Sequence, residues 1–311
     1  MKGFAQTNSK AIYHILAIAV AAIWGTTFIS SKLLIQEGLS PAEIMLLRFA
    51  VAYIGIALFT REKWWCDSWK DELLMVALGI SGGSLYFLLE NTALVYTQAS
   101  NVAIIIAATP LLTTLAIDLI SRQERVKRSI YYYSIISLLG GALVVFNGKF
   151  ILKLNPIGDM LTLGASLMWV IYSIIILKVQ DRYSSAMISR KIFFYGVLTL
   201  LPYFAFEPLD ITWQLLCKPV VMGNLIFLGV LASLVCYVAW NMVIGKLGAI
   251  NSTNYLYLNP IVALITSYIV LDERITVLAI IGTVMILAGV ALSQRKEIGK
   301  KGQNEQINSN E

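Results

Sequence analysis

Charge is what this sequence carries least of. Asp, Glu, Lys and Arg make up 14% of its 311 residues, against about 25% in soluble domains, which excludes an ordinary water-soluble globule. There is one histidine, His14, and the three cysteines (Cys66, Cys217 and Cys236) stand far apart with no CxxC spacing. Neither a disulfide framework nor a metal site is therefore expected, and no cofactor. No phosphate-binding glycine loop, zinc-binding helix motif or nucleophile elbow is present. That argues against an ATP-driven pump and against an enzyme. Prolines number only seven, yet Pro110 and Pro260 fall well inside apolar runs. The net charge of +6 could indicate a nucleic-acid partner, but its distribution along the chain points elsewhere.

What is abundant is apolar sequence, 58% of the residues. Runs reach the roughly 20 residues that cross a bilayer core, at about 14–35, 41–60, 72–95, 100–120, 129–147, 156–178, 187–206, 221–245, 249–271 and 275–293. The expected fold is an all-α integral membrane protein of ten transmembrane helices. Lys2 and Lys10 ahead of small residues near Ala21 imitate a signal peptide, but the run continues apolar through Ile35, so it is expected to be retained. Residues 1–13 and 294–311 are left as cytoplasmic tails, the second rich in Asn, Gln and Lys and expected to be disordered. Most of the 24 lysines and arginines fall on the side that holds both tails; Lys149, Lys153, Lys218 and Arg274 fall on the other. Basic residues stay cytoplasmic. Both termini are thus expected inside, in a bacterial inner (plasma) membrane, and the positive charge needs no nucleic acid.

The chain repeats itself. Shifting residues 86–112 by 150 positions lays Asn91 on Asn241, Asn101 on Asn251 and Pro110 on Pro260; a shift of 145 lays Trp24 on Trp169. A shift of 149 lays Glu124-Arg125 on Glu273-Arg274 and Gly140 on Gly289. Two five-helix units result, 14–147 and 156–293, and an odd number of spans per unit inverts the second in the membrane. Proline inside a helix removes a backbone hydrogen bond and frees the carbonyl one turn back, here at Ile106 and Leu256. Membranes tolerate that only within a bundle or beside a water-filled cavity. Matched interrupted helices in an inverted 5+5 repeat point to a substrate path through a central cavity between the halves.

In this order and spacing the motifs resemble the EamA-type family of the drug/metabolite transporter superfamily. The resemblance covers 14–293. It rests on the ten-span layout, Trp24-Gly25, Leu47-Arg48-Phe49, Ala93-Leu94 with Tyr96-Thr97 and Ala99-Ser100, the two prolines and the two Glu-Arg turns. In the second half Leu247-Gly248-Ala249-Ile250 replaces the Tyr-Thr-x-Ala-Ser run. The resemblance implies export of small metabolites by alternating access, with spans 1–4 and 6–9 around the cavity and 5 and 10 at the periphery. A non-transport scaffold, channel or lipid-carrier component is the alternative.

Candidate site residues follow from polarity at depth. A charge within a span costs about 2.5–3.5 kcal/mol, so Arg48 and Glu90 stand out, each roughly 8–12 Å below the outer surface at 1.5 Å per residue. Phe193 and Trp240 occupy their repeat positions, so an ion pair and a functional site are both open readings. Glu90 is the leading candidate for carrying a proton or a substrate charge. Trp24, Tyr86, Asn91, Trp169, Asn241, Tyr257 and Asn259 complete the substrate- or ion-binding candidates, with Pro110 and Pro260 as helix kinks. Core packing competes for Trp24, and interhelical hydrogen bonding for Asn91 and Asn241. Lys32 is expected to snorkel toward the outer interface. The expected partners are the lipid bilayer, a small-molecule substrate, a proton as candidate coupling ion, and a second copy in a homodimer; Gly140-Gly141 permits close helix contact, within or between subunits.

Overall fold

Residues 2–97, 99–120, 126–146, 155–271 and 275–307 are described by the computed structural model of the chain. Every regular element among them is helical. In order they are α1 (Lys2–Gln36), α2 (Pro41–Phe59), α3 (Trp69–Gly79), α4 (Leu85–Tyr96), α5 (Ala99–Ile106), α6 (Thr109–Ile120), α7 (Arg128–Phe146), α8 (Pro156–Ile176), α9 (Ser185–Leu200), α10 (Trp213–Leu216), α11 (Pro219–Ile226), α12 (Cys236–Leu247), α13 (Ala249–Asn254), α14 (Asn259–Leu271) and α15 (Val277–Ile307). Wide π-type segments join α3 to α4 (Ile80–Ser84) and α11 to α12 (Phe227–Val235), and a 3-10 turn, Tyr255–Leu258, joins α13 to α14.

Eight of the resulting helices are long and apolar enough to cross a membrane. The expected spans at 187–206 and 249–271 are not among them. The helix from Ser185 contains Arg190 and Lys191 and passes at Leu201 into a 3-10 turn containing Pro202. The run from Ala249 is broken at Tyr255–Leu258. Among the described residues α1 starts at Lys2 and α15 runs to Ile307. Gln, Arg, Lys and Glu are good helix formers, and no proline follows Pro260. The Glu-Arg turns at Glu124 and Glu273 lie outside the described residues.

Local sequence sets the helix starts. Ser40 caps α2 in a capping box with Glu43, with Pro41 in the first turn. Ser68, Asn155 and Ser184 cap α3, α8 and α9 in the same sense. Gly248 turns α12 into α13 at φ 80°, ψ 161°, a conformation essentially restricted to glycine. This is the physical content of the departure at Leu247-Gly248-Ala249-Ile250.

The helices pack in matching pairs. α1 packs on α12 as α8 packs on α4; α1 on α14 as α8 on α6; the π segment after α11 on α2 as that after α3 on α9. α2 meets α9, and α7 meets α15. In the last pair a Cβ at Gly140 would lie 2.6 Å from the Gly282 carbonyl, so the glycine approach is made within one chain.

Polar contacts tie the halves at both ends of the bundle. At one end Arg182 pairs with Asp71 at 2.5 Å, Tyr183 donates to Asp71 at 2.8 Å, and Ser184 donates to Glu62 at 2.8 Å. Lys191 and Tyr195 both bind the Glu72 carboxylate, and Arg190 donates to the Glu62 and Lys63 carbonyls. Arg190 and Lys191, counted by sequence with the cytoplasmic basic residues, are 3% and 4% exposed. At the other end Lys218 pairs with Glu37 at 2.8 Å, and the Asp210 amide donates to Glu43 at 2.7 Å. Lys32 does not snorkel freely: its ammonium donates to the Leu94 carbonyl at 2.5 Å, near the negative end of α4.

Candidate functional site

The two interrupted helices open onto one cavity. α5 ends at Ile106, and α6 starts at Thr109 one residue before Pro110; the second break, Tyr255–Leu258, ends one residue before Asn259-Pro260. Ile106, Thr109, Leu256 and Asn259 all line the cavity, and both prolines are buried. The other walls are Trp24, Thr27 and Phe28 of α1, Arg48 of α2, Tyr86, Phe87 and Glu90 of α4, Trp169 of α8 and Tyr237 of α12. Its volume is ≈ 40 Å³, room for about three waters. Gly25 lets α1 approach the break closely, because a Cβ there would sit 2.9 Å from the Asn259 carbonyl.

The lining is built from repeat counterparts. Trp24 and Trp169, Phe87 and Tyr237, Ile106 and Leu256, and Thr109 and Asn259 are related by the shifts of 145 and 150. The aromatic members interlock: Trp24 lies 5.3 Å edge-on from Trp169 and 5.8 Å from Tyr237, and Tyr86 lies 5.2 Å from Trp169.

Each π segment presents a carbonyl to a side chain from the opposite half. Trp24 Nε1 donates to the Ala232 carbonyl at 2.9 Å. At the counterpart of Ala232, Gly82, the acceptor is taken by the Tyr237 hydroxyl at 2.5 Å. Phe87, the counterpart of Tyr237, has no hydroxyl to do the same. One donor is therefore left over, and Trp169 Nε1 is buried with no hydrogen-bond partner. Thr109 Oγ1 and Asn259 Oδ1 are also buried without partners.

Two charges face the same space. Arg48 is 2% exposed and Glu90 4%. Arg48 Nε donates to Ser233 Oγ at 3.0 Å, and its guanidinium lies 4.0 Å over the Phe87 ring. Among the described residues no ion pair joins Arg48 to Glu90; the four ion pairs lie elsewhere.

Of the residues singled out by sequence, Trp24, Arg48, Tyr86, Glu90, Trp169 and Asn259 meet in this cavity. Asn91, Asn241 and Tyr257 do not line it. Asn241 accepts from the Tyr172 hydroxyl at 2.5 Å and donates to Ser189 at 2.9 Å, which ties α12 to α8 and α9. Asn91 is fully buried with both polar side-chain atoms unpartnered. Tyr257 packs with Ala17, Val144 and Ile286 in a separate cluster. Sequence reading passed over Thr27, Phe28, Phe87 and Tyr237 as site residues. The repeat held a signal for the last two, an aromatic at both Phe87 and Tyr237.

A second cavity, ≈ 170 Å³, lies among Tyr53, Trp64, Trp65, Arg190, Lys191 and Phe194. Its two cations are already engaged, Arg190 by carbonyls and Lys191 by Glu72, so the central cavity is the better site.

Comparison with known proteins bears on what such a site serves. A model described as the EamA-like transporter family matches residues 11–146 and 156–294. The chain is 25% identical over 301 residues to a "Probable terminal-alkyne amino-acid exporter" of Streptantibioticus cattleyicolor, covering 94% of this chain and 96% of the relative. It is 24% identical over 296 residues to a "Probable amino-acid metabolite efflux pump" of Escherichia coli, covering 90% and 93%. An "Uncharacterized transporter" of Archaeoglobus fulgidus is 24% identical over 294 residues, covering 93% and 99%. A solved crystal structure superposes with a TM-score of 0.72 at 14% identity over 91% of this chain and 98% of its own, a likeness of fold.

Proposed function

Since the chain belongs to the EamA-like transporter family, and is thus a multi-pass membrane transporter rather than an enzyme, we propose that it exports small amino-acid-like or amphipathic metabolites by alternating access. The observation that carries this reading is the cavity lined by four pairs of repeat counterparts beside two proline-interrupted helices. A site lined from both halves is the geometry in which rocking of one half against the other exposes it to each side in turn. Contacts that tie the halves at both ends of the bundle (Asp71–Arg182 and Glu37–Lys218) would open alternately in such a cycle.

In this reading α9 and the broken α13–α14 run complete a count of ten spans. The units 14–147 and 156–293 are an inverted pair, with both termini cytoplasmic in the inner membrane of a bacterium. Glu90 is the proposed coupling carboxylate, exchanging a proton between the two sides. The names of the Streptantibioticus and Escherichia relatives favour amino-acid-like solutes.

Proteoliposomes test this directly. Vesicles loaded with a labelled mixture of amino acids should lose label faster with the protein than without it, and an imposed pH gradient should drive accumulation. Glu90→Gln should abolish the response to the gradient, and Trp24→Ala or Trp169→Ala should slow flux about tenfold or more. Equal leak from protein-free and protein-containing vesicles would overturn the transport mechanism proposed here.

A further inference from the structure

The larger cavity, ≈ 170 Å³, shares no residue with the central one. Tyr53 of α2 stands on one wall, Arg190, Lys191 and Phe194 of α9 on another, and Trp64 and Trp65 come from the segment after α2. Its charges do not balance. Lys191 is matched by Glu72, Arg182 by Asp71 and Lys63 by Asp67, and the Glu62 carboxylate accepts from Ser184. Arg190 is buried and donates to the Glu62 and Lys63 carbonyls, which take hydrogens but carry no charge. Among the described residues no acid pairs with it, and no protein acceptor takes the rest of its five hydrogens. A buried cation in that state calls for an anion.

Polarity changes in one direction along this face. Trp64 and Trp65 are exposed beyond the end of α2. Their rings lie 5.0 Å from the Arg190 guanidinium and 4.8 Å from the Lys191 ammonium. Next come Tyr53 and Phe194, with ring centroids 5.7 Å apart. One turn past Phe194 the exposed Leu198 continues α9, and Ile54 is exposed on α2. A phospholipid has the same order: phosphate, glycerol ester, acyl chain. Tryptophan and tyrosine settle at headgroup level, and basic pockets between spans bind anionic head groups.

We propose that this lateral cavity binds an anionic phospholipid, with the phosphate at Arg190 and the upper part of one acyl chain between Tyr53 and Phe194. The volume suits that occupant. An apolar cavity of about 150 Å³ holds a benzene ring, so this one takes about six carbons of a chain, and the rest runs over Leu198 into the bilayer. One unmatched cation fits the single negative charge of a phosphodiester. A zwitterionic lipid brings another cation beside Arg190 and is disfavoured. Because α2 and α9 belong to different halves, a lipid wedged between them ties the halves at this end. The inference rests on α9 as a membrane span, part of the reading above, and not on which solute is carried.

The test uses delipidated protein in detergent and two lipids with identical chains, palmitoyl-oleoyl phosphatidylglycerol and phosphatidylcholine. Native mass spectrometry at equal lipid concentration should show at least about tenfold more bound phosphatidylglycerol, the effect of one charge-assisted contact. Arg190→Gln should erase that preference, and Arg190→Lys should keep part of it. A merely structural Arg190 would change both lipids alike. Phosphatidylglycerol with a diazirine on its acyl chain should label the wild-type protein chiefly on the peptides that hold Tyr53 and Phe194, so a variant that does not fold leaves the test intact. Glycerol 3-phosphate should not displace the label; displacement would identify a site for free phosphate and overturn the lipid. Equal binding of the two lipids, a preference that survives Arg190→Gln, or label spread evenly over the exposed faces of α1 and α15 would also overturn it. Solute flux in proteoliposomes is scored apart. Flux without the lipid preference sinks this inference and leaves the exporter reading standing, and the lipid preference without flux does the reverse.

Discussion

Cys66 should act as a native reporter of the buried Glu72–Lys191 pair. It lies in the loop between α2 and α3, where its amide donates to Glu72 Oε2 at 2.9 Å. Burial first, then the hydrogen bond and charge of Glu72, push its thiol up to about 12, and Lys191 acts in the opposite sense. At pH 8 such a thiol is about one ten-thousandth thiolate, whereas an unperturbed thiol near 8.5 is roughly a quarter ionised. The more basic thiolate is the better nucleophile, with a Brønsted slope of about 0.4–0.5, which restores about 1.5 of the roughly 3.4 decades lost. Cys66 should therefore react with a maleimide about 50–100-fold more slowly than an ordinary exposed thiol. Its rate should rise about tenfold per pH unit between 7 and 9 without levelling. The exposed Cys217 is the internal comparison, and mass spectrometry of each cysteine peptide gives the rates. Glu72→Gln removes a group that raises the thiol, so labelling should accelerate; Lys191→Met removes one that lowers it, so labelling should slow. General loosening would accelerate both. The Lys191 and Glu72 side chains are 5% and 6% exposed, so either single replacement should cost about 3–5 kcal/mol, with most of it recovered in the double variant. Faster labelling of Cys66 in Lys191→Met, well below its unfolding temperature, or a rate plateau near pH 8.5, would refute the reasoning.

Gly248→Ala places a side chain at φ 80° and should cost about 1–3 kcal/mol; an unchanged unfolding midpoint in detergent would show that the α12–α13 turn relaxes. Tyr237→Phe strips the donor from the Gly82 carbonyl and should cost about 1–3 kcal/mol for an unsatisfied buried acceptor. The same measurement checks it, with wild-type stability as the contrary result.

The class of fold was legible because membrane insertion is a one-dimensional demand: apolar length. Runs of apolar sequence marked all eight helices long enough to cross. The proline arguments also carried over, since proline acts on its own backbone wherever it sits; both predicted interruptions are observed just before Pro110 and Pro260. The repeat pointed to Trp24 and Trp169 together, and the structure brings them into one cavity.

What sequence left undecided depends on which face of a helix turns inward, and on contacts between distant segments. Asn241 and Asn259 are the same residue type, yet one joins three helices and the other faces the cavity. Arg190 and Lys191 counted by sequence only as two of the cytoplasmic basic residues; the tertiary structure folds the 60–72 segment over them. Of the π segments that present the carbonyls of Gly82 and Ala232 to Tyr237 and Trp24, Ile80–Ser84 carries a Gly82-Gly83 pair, whereas Phe227–Val235 reads as ordinary apolar helix. The chain by itself determined that it is helical and apolar and broken at two prolines, because length, hydrophobicity and proline act locally. Only the tertiary structure decided that Arg48 and Glu90 share a cavity without pairing and that Trp169 keeps a free donor, because those facts depend on hydrogen bonds between residues 155 to 208 positions apart.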